Sequence, residues 1–115
     1  MSKRTIRFLL EDILEAILNI EKYTNQLSFD DFMSDQKTID AVVRNFEIFG
    51  EAANKLPNDF RSNNPIIDWT GVIGFRNILI HDYFGTDYDI LWNIKNNYLP
   101  ILKTGIYPLI TQNGV

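Results

Sequence analysis

The sequence predicts an all-α protein, an up-and-down bundle of four main helices plus one or two short helices. Three observations predict it. Apolar residues recur at three- and four-residue spacing through long segments, which is the helical period. Strand signals are absent, because no alternating run of Val, Ile and Thr is flanked by turn pairs of the Asn-Gly type. With 115 residues, 45% of them apolar, the chain has material for one compact core but hardly for two, so residues 1–115 are expected to form a single domain.

The first helix is predicted over Lys3 to Gln26, where Ile6, Leu9, Leu10, Ile13, Leu14, Ile17 and Ile20 form one stripe and Arg7, Glu11, Glu15 and Lys22 the opposite face. Ser28 followed by Asp31 reads as a capping box for a short turn through Phe32, and a second start is expected at Ser34 or Asp35. The next stripe, Ile39, Val42, Val43, Phe46, Phe49, Ala53 and Leu56, ends before Pro57. Residues 56–65 hold two prolines and three asparagines and read as a loop with at most one helical turn around Asp59 to Arg61. Asp68 is placed to cap a helix from about Trp69 to Tyr83, with Ile67 and Val72 as a hydrophobic staple. Gly85 offers a stop, and Thr86 with Asp89 a restart for a last helix through Ile90, Ile94, Tyr98, Leu102, Ile106 and Leu109. Pro100 inside that pattern predicts a bend or break near Asn97 to Leu99.

Composition excludes several chemistries. Without cysteine there is no disulfide, thiolate zinc site or cysteine nucleophile, and a single histidine rules out a multi-histidine metal site within one protomer. No metal and no cofactor are therefore expected. A formal charge of −4 argues mildly against non-specific nucleic-acid binding but leaves room for a local basic cleft. No run approaches the roughly eighteen apolar residues of a membrane span, and the acids Glu11, Asp12 and Glu15 are unlike a signal peptide. A soluble, cytoplasmic protein with no membrane partner is the expectation.

Chemistry concentrates between Gly74 and Gly85, which contains the single histidine. On a regular helix Arg76 and Tyr83 lie nearly on one face, and Asn77 and His81 form a second pair about 100° around. Arg76 and His81 could then share one small substrate in three ways: by a sweep of the Arg arm, a distorted last turn near Gly85, or a second copy of the helix across a dimer interface. An Arg beside a His suits phosphodiester chemistry. The guanidinium forks onto non-bridging oxygens, while the imidazole titrates near neutral pH and can move a proton. On spacing alone, a lone His near a helix C-terminus is more often a dipole-stabilising or structural residue than a catalyst.

Arg76, Asn77, His81 and Tyr83 together resemble the Arg, four residues, His, one residue, Tyr signature of HEPN-domain proteins, specifically the HepT toxins of HepT/MntA toxin–antitoxin systems. The likeness covers almost the whole chain. It includes residues 10–17 (Leu-Glu-Asp-Ile-Leu-Glu-Ala-Ile), residues 44–53 (Arg-Asn-Phe-Glu-Ile-Phe-Gly-Glu-Ala-Ala) and Trp69. Phe75 and Phe46 stand where that pattern leads one to expect Met and Leu, both tolerable apolar exchanges. The resemblance implies an all-helical homodimer with a composite cleft and metal-independent cleavage of RNA, tRNA being the expected class. In it Arg76 would hold the phosphate, His81 would be the acid/base, and Asn77 would orient the substrate or the imidazole. It also implies an MntA-like nucleotidyltransferase antitoxin that transfers AMP to Tyr83, and a hetero-oligomer of the two proteins. The alternative is a non-catalytic HEPN module that binds nucleotide or RNA or docks such a partner, which the net acidity favours slightly.

Two further features have ordinary readings. Glu47 and Glu51 share a helical face but lack further ligands in register, so a solvated or dimer-facing pair is favoured over a metal pair. Trp69 and Trp92 could stack on bases, yet each sits beside an apolar stripe and reads as core or interface.

Overall fold

Ser2 starts the first helix, its hydroxyl accepting the Thr5 N–H at 3.1 Å. The computed structural model describes residues 1–80 and 87–113, without the side chains of 76–80. Every regular element in that part is helical. α1 spans Lys3–Thr24 and buries Leu10, Ile13, Ile17 and Ile20 completely. It ends two residues earlier than predicted, because Gln26 takes the left-handed φ of 63° that a helix cannot continue through.

The caps predicted at Ser28 and Asp35 hold. Ser28 accepts from the Asp31 N–H while the Asp31 carboxylate accepts from the Ser28 N–H, and this capping box opens α2, Phe29–Met33. Asp35 accepts from both the N–H and the hydroxyl of Thr38 at the start of α3, Gln36–Lys55. Those hydrogen bonds, the hydroxyl's first, hold its carboxyl below the ordinary aspartate pKa. α4, Asn58–Asn63, is longer than the single turn expected between the prolines. α5 runs Trp69–Ile80, and the predicted continuation to Tyr83, like the Gly85 stop, lies outside the described residues.

α6, Tyr88–Asn97, is capped by Asp87 and not by the expected Thr86. One oxygen of the Asp87 carboxylate, Oδ1, accepts from the N–H groups of both Asp89 and Ile90, and its charge favours the helix N-terminus more than a hydroxyl would. The break at Pro100 falls as predicted. α6 stops at Asn97, Tyr98 joins the two elements, and α7, Leu99–Gln112, carries Pro100 in its first turn, where the missing N–H has no intrahelical partner to lose. Pro108 sits inside α7, a position the apolar pattern did not flag.

α1 and α3 form the central pair; α5 packs on α3, α7 on α1, α6 on α7 and α2 on α3. Taking α6 and α7 as one broken helix, these are the four main and two short helices of the predicted bundle. One core joins them, centred on Leu10, Ile13, Phe46, Phe49, Val72 and Ile106. Burying each such side chain contributes about 1.5–3 kcal/mol before entropy is counted. Among the described residues two polar side chains are buried: the Thr24 hydroxyl donates to the Ile20 carbonyl at 2.7 Å, and Asn45 accepts from the Asn19 amide at 3.2 Å and donates to the Ala41 carbonyl at 2.8 Å, which fixes the register of α1 on α3. Both tryptophans pack inward as expected, Trp69 buried and Trp92 against the rings of Phe29 and Phe32. Among the described residues no helix is long and apolar enough to cross a membrane.

Candidate active site

α5 carries the first half of the Arg-His-Tyr motif, and its own sequence explains how it is held. The Asp68 carboxylate accepts the Gly71 N–H at 3.1 Å, capping the helix as predicted. A side chain at Gly71 would put its Cβ 2.5 Å from an oxygen of that carboxylate, so the cap needs glycine there. Ile67 and Val72, the predicted staple, are both buried. Trp69 is buried too, its indole N–H donating to the Asn64 carbonyl at 3.0 Å.

Beyond the first turn the grip comes from rings. Phe75 meets Phe46 and Phe49 of α3 at centroid distances of 6.4 and 6.1 Å, and Tyr98 of the α6–α7 junction at 5.3 Å, all edge to face. Tyr98 also lies beside Asp68. Burial raises its phenol pKa above the ordinary value; the nearby Asp68 carboxylate raises it further, and a hydrogen bond from the Asp68 backbone opposes both. The partnership of Phe75 with Tyr98 was not visible in the sequence. The residues are far apart in the chain, and each was accounted for by the apolar stripe of its own helix.

Arg76 and Asn77 follow Phe75 directly, within the helical span of α5. Being consecutive on a helix, the two positions lie about 100° apart around its axis. Their side chains, and His81 and Tyr83 altogether, lie outside the described residues.

The face of α3 toward α1 forms a groove of about 400 Å³, lined by Asp12, Arg44, Glu47, Glu51 and Lys55 among others. Glu47 pairs with Arg44 at 3.7 Å. Among the described residues no group of three or more acids or histidines is placed to hold a metal ion.

The family model described as ribonuclease HepT-like matches residues 13–107. A relative from Thermococcus cleftensis named as a probable ribonuclease HepT is 46% identical over 101 residues, covering 88% of this chain and 92% of its own length. A candidate RNase of Methanocaldococcus jannaschii is 44% identical over 100 residues, covering 87% of this chain and 83% of its own. A candidate RNase of Caldanaerobacter subterraneus is 35% identical over 109 residues, covering 95% and 97%. No solved structure matches the chain at a significant level. The chain therefore belongs to the HepT-like ribonuclease family and is by class an endoribonuclease acting on RNA.

Proposed function

We propose that the chain acts as one HEPN-like domain over residues 1–115 and that two copies form a composite RNA-cleaving site from their α5 helices. The observation that carries this reading is the placement of Arg76 and Asn77 on α5, a capped and ring-packed helix, in a chain of the ribonuclease family. Ile73, Gly74 and Phe75 of that helix are only half-buried, leaving apolar surface for a second copy to cover.

The reaction is an internal transesterification. The RNA 2′-oxygen attacks the adjacent phosphorus, the P–O5′ bond breaks, and the products carry a 2′,3′-cyclic phosphate and a 5′-hydroxyl. Because the nucleophile belongs to the RNA, no metal-bound water is needed. Arg76 neutralises charge growing on the non-bridging oxygens. His81 moves the proton between the 2′-hydroxyl and the leaving 5′-oxygen, and Asn77 orients the substrate or the imidazole.

In this reading the protein is the toxin of a toxin–antitoxin pair, tRNA is its target class, and an MntA-like nucleotidyltransferase neutralises it by adding AMP to Tyr83. The added phosphates would compete with RNA for Arg76. Purified protein incubated with tRNA in EDTA should cleave it, and His81→Ala and Arg76→Ala should cleave it about 10²- to 10⁴-fold more slowly. Cleavage by either variant at the wild-type rate would remove the catalytic assignment. With the partner and ATP, intact mass should increase by AMP units, and Tyr83→Phe should gain none.

A further inference from the structure

We infer that Phe75 is the positioning residue of this site: its ring, seated between α3 and the α6–α7 junction, sets the rotation of α5 and through it where Arg76 meets the phosphate. The inference rests on the reading of Arg76 given above.

Three observations support it. First, the partners of Phe75 come from two different elements, Phe46 and Phe49 from α3 and Tyr98 from the junction, and meet the ring at 69°, 90° and 88°. A ring held edge to face on both sides resists turning about the helix axis as well as leaning away from α3. Second, Trp69 and Val72 seat the first turn, and beyond that turn Phe75 is the described residue of α5 whose ring meets two other elements. Gly71 and Gly74 have no side chain, and a Cβ built at Gly74 finds no heavy atom within 4 Å. Third, the outer ring is tied back to the same helix, since Tyr98 lies beside Asp68, the residue that caps α5.

Phe75 and Arg76 are adjacent, so a rotation that moves one moves the other. At about 6 Å from a helix axis, a turn of about 10° displaces a side-chain group by about 1 Å. A displacement of that size at a reacting centre can cost on the order of 10²-fold in rate.

The test is a double-mutant cycle on RNA cleavage with the full chain, using Phe75→Leu, Arg76→Ala and the pair, with kcat and KM measured separately alongside the melting temperature. Phe75→Leu should lower kcat/KM by about 10- to 100-fold while the protein stays folded, and should do almost nothing further once Arg76 is already alanine. Phe75→Met, the residue the family pattern leads one to expect at this position, fills the same seat and should recover most of the loss. Tyr98→Leu removes the outer ring without touching α5 and should give the same non-additive cycle, so the test survives if Phe75→Leu does not fold.

Losses that multiply independently in both cycles would overturn the positioning role and leave the assignment of Arg76 standing. Wild-type cleavage by Arg76→Ala would overturn the functional reading, and with it this inference.

Discussion

α3 and α5 lie against each other, yet their sequences solve different problems. Along α3 the two sides are distinct: Val42, Phe46 and Phe49 are buried, while Lys37, Asp40, Arg44 and Lys55 are exposed. That polarity orients the helix before any specific contact forms. α5 reads Trp-Thr-Gly-Val-Ile-Gly-Phe-Arg-Asn-Ile-Leu-Ile, apolar nearly all round, with its two ionic or amide side chains next to each other. No polar face tells it which way to turn. Its orientation is left to a cap, a staple and a few rings, which are specific contacts. A scaffold helix can therefore tolerate exchanges that keep its pattern, whereas the motif helix depends on particular shapes at particular positions.

The sharpest way to break this comparison is to set Phe46→Ala against His81→Ala. Phe46 is fully buried between rings, so its truncation should cost about 3–5 kcal/mol of stability, and activity should fall with the folded fraction and, because Phe46 seats Phe75, further through the position of Arg76. Losing His81 should cost about 10²- to 10⁴-fold in cleavage, about 3–5 kcal/mol of barrier, with an unchanged melting temperature. Urea unfolding and single-turnover cleavage on the same preparations separate the two outcomes. A His81→Ala protein that melts many degrees lower would make the residue structural, as a lone histidine near a helix end often is.

The same division explains what could be read from the sequence. Local rules were legible. Ser28 with Asp31, Asp35 and Asp68 each cap where a short carboxylate or hydroxyl precedes an apolar period, and Pro100 splits the last pattern at Tyr98. What failed locally were choices between equivalent neighbours, such as Asp87 over Thr86, and the extent of α4 between two prolines. Long-range pairing was not legible at all. Asn45 appeared only as one member of a motif-like run, because its partner Asn19 lies 26 residues away. Tyr98 counted as one more apolar position until the fold brought it against Phe75. For the site, the residue types and their order were readable, and the seat beneath them was not.

The two glycines of α5 sharpen the comparison with a smaller effect. Gly74 is in the helix interior and a Cβ there meets no described atom of its own chain, so Gly74→Ala should stabilise the dissociated monomer by about 0.5–1 kcal/mol by restricting the unfolded state, and a loss confined to the dimer measures how closely the second copy approaches. Gly71→Ala gains the same propensity but displaces the Asp68 carboxylate, losing a cap of about 1 kcal/mol, and should come out near neutral. Thermal melts of both variants in parallel give the difference directly. Equal stabilisation would show that the cap contributes nothing. Destabilisation by Gly74→Ala would mean that this surface is covered by a second copy, which the loss of dimer on a sizing column would register.

The smallest effect concerns the ring that ties α5 to the α6–α7 junction. Burial and the nearby Asp68 carboxylate raise the Tyr98 pKa above the ordinary phenol value of 10.0. A group whose folded pKa exceeds its unfolded pKa binds its proton more tightly when folded. Its contribution is complete below the unfolded value and is lost as pH rises through the folded one. Wild type should therefore lose stability above pH 10 relative to Tyr98→Phe, which keeps the ring against Phe75 but has no proton to release. Below pH 9 the stability difference between the two should not change with pH, and any difference there belongs to the hydroxyl's polar contact with Asp68. Urea midpoints taken at intervals from pH 8 to 11 measure both regimes. Parallel curves across that whole range would mean that Tyr98 is not buried against the carboxylate, and would remove the tether that holds the outer ring in place.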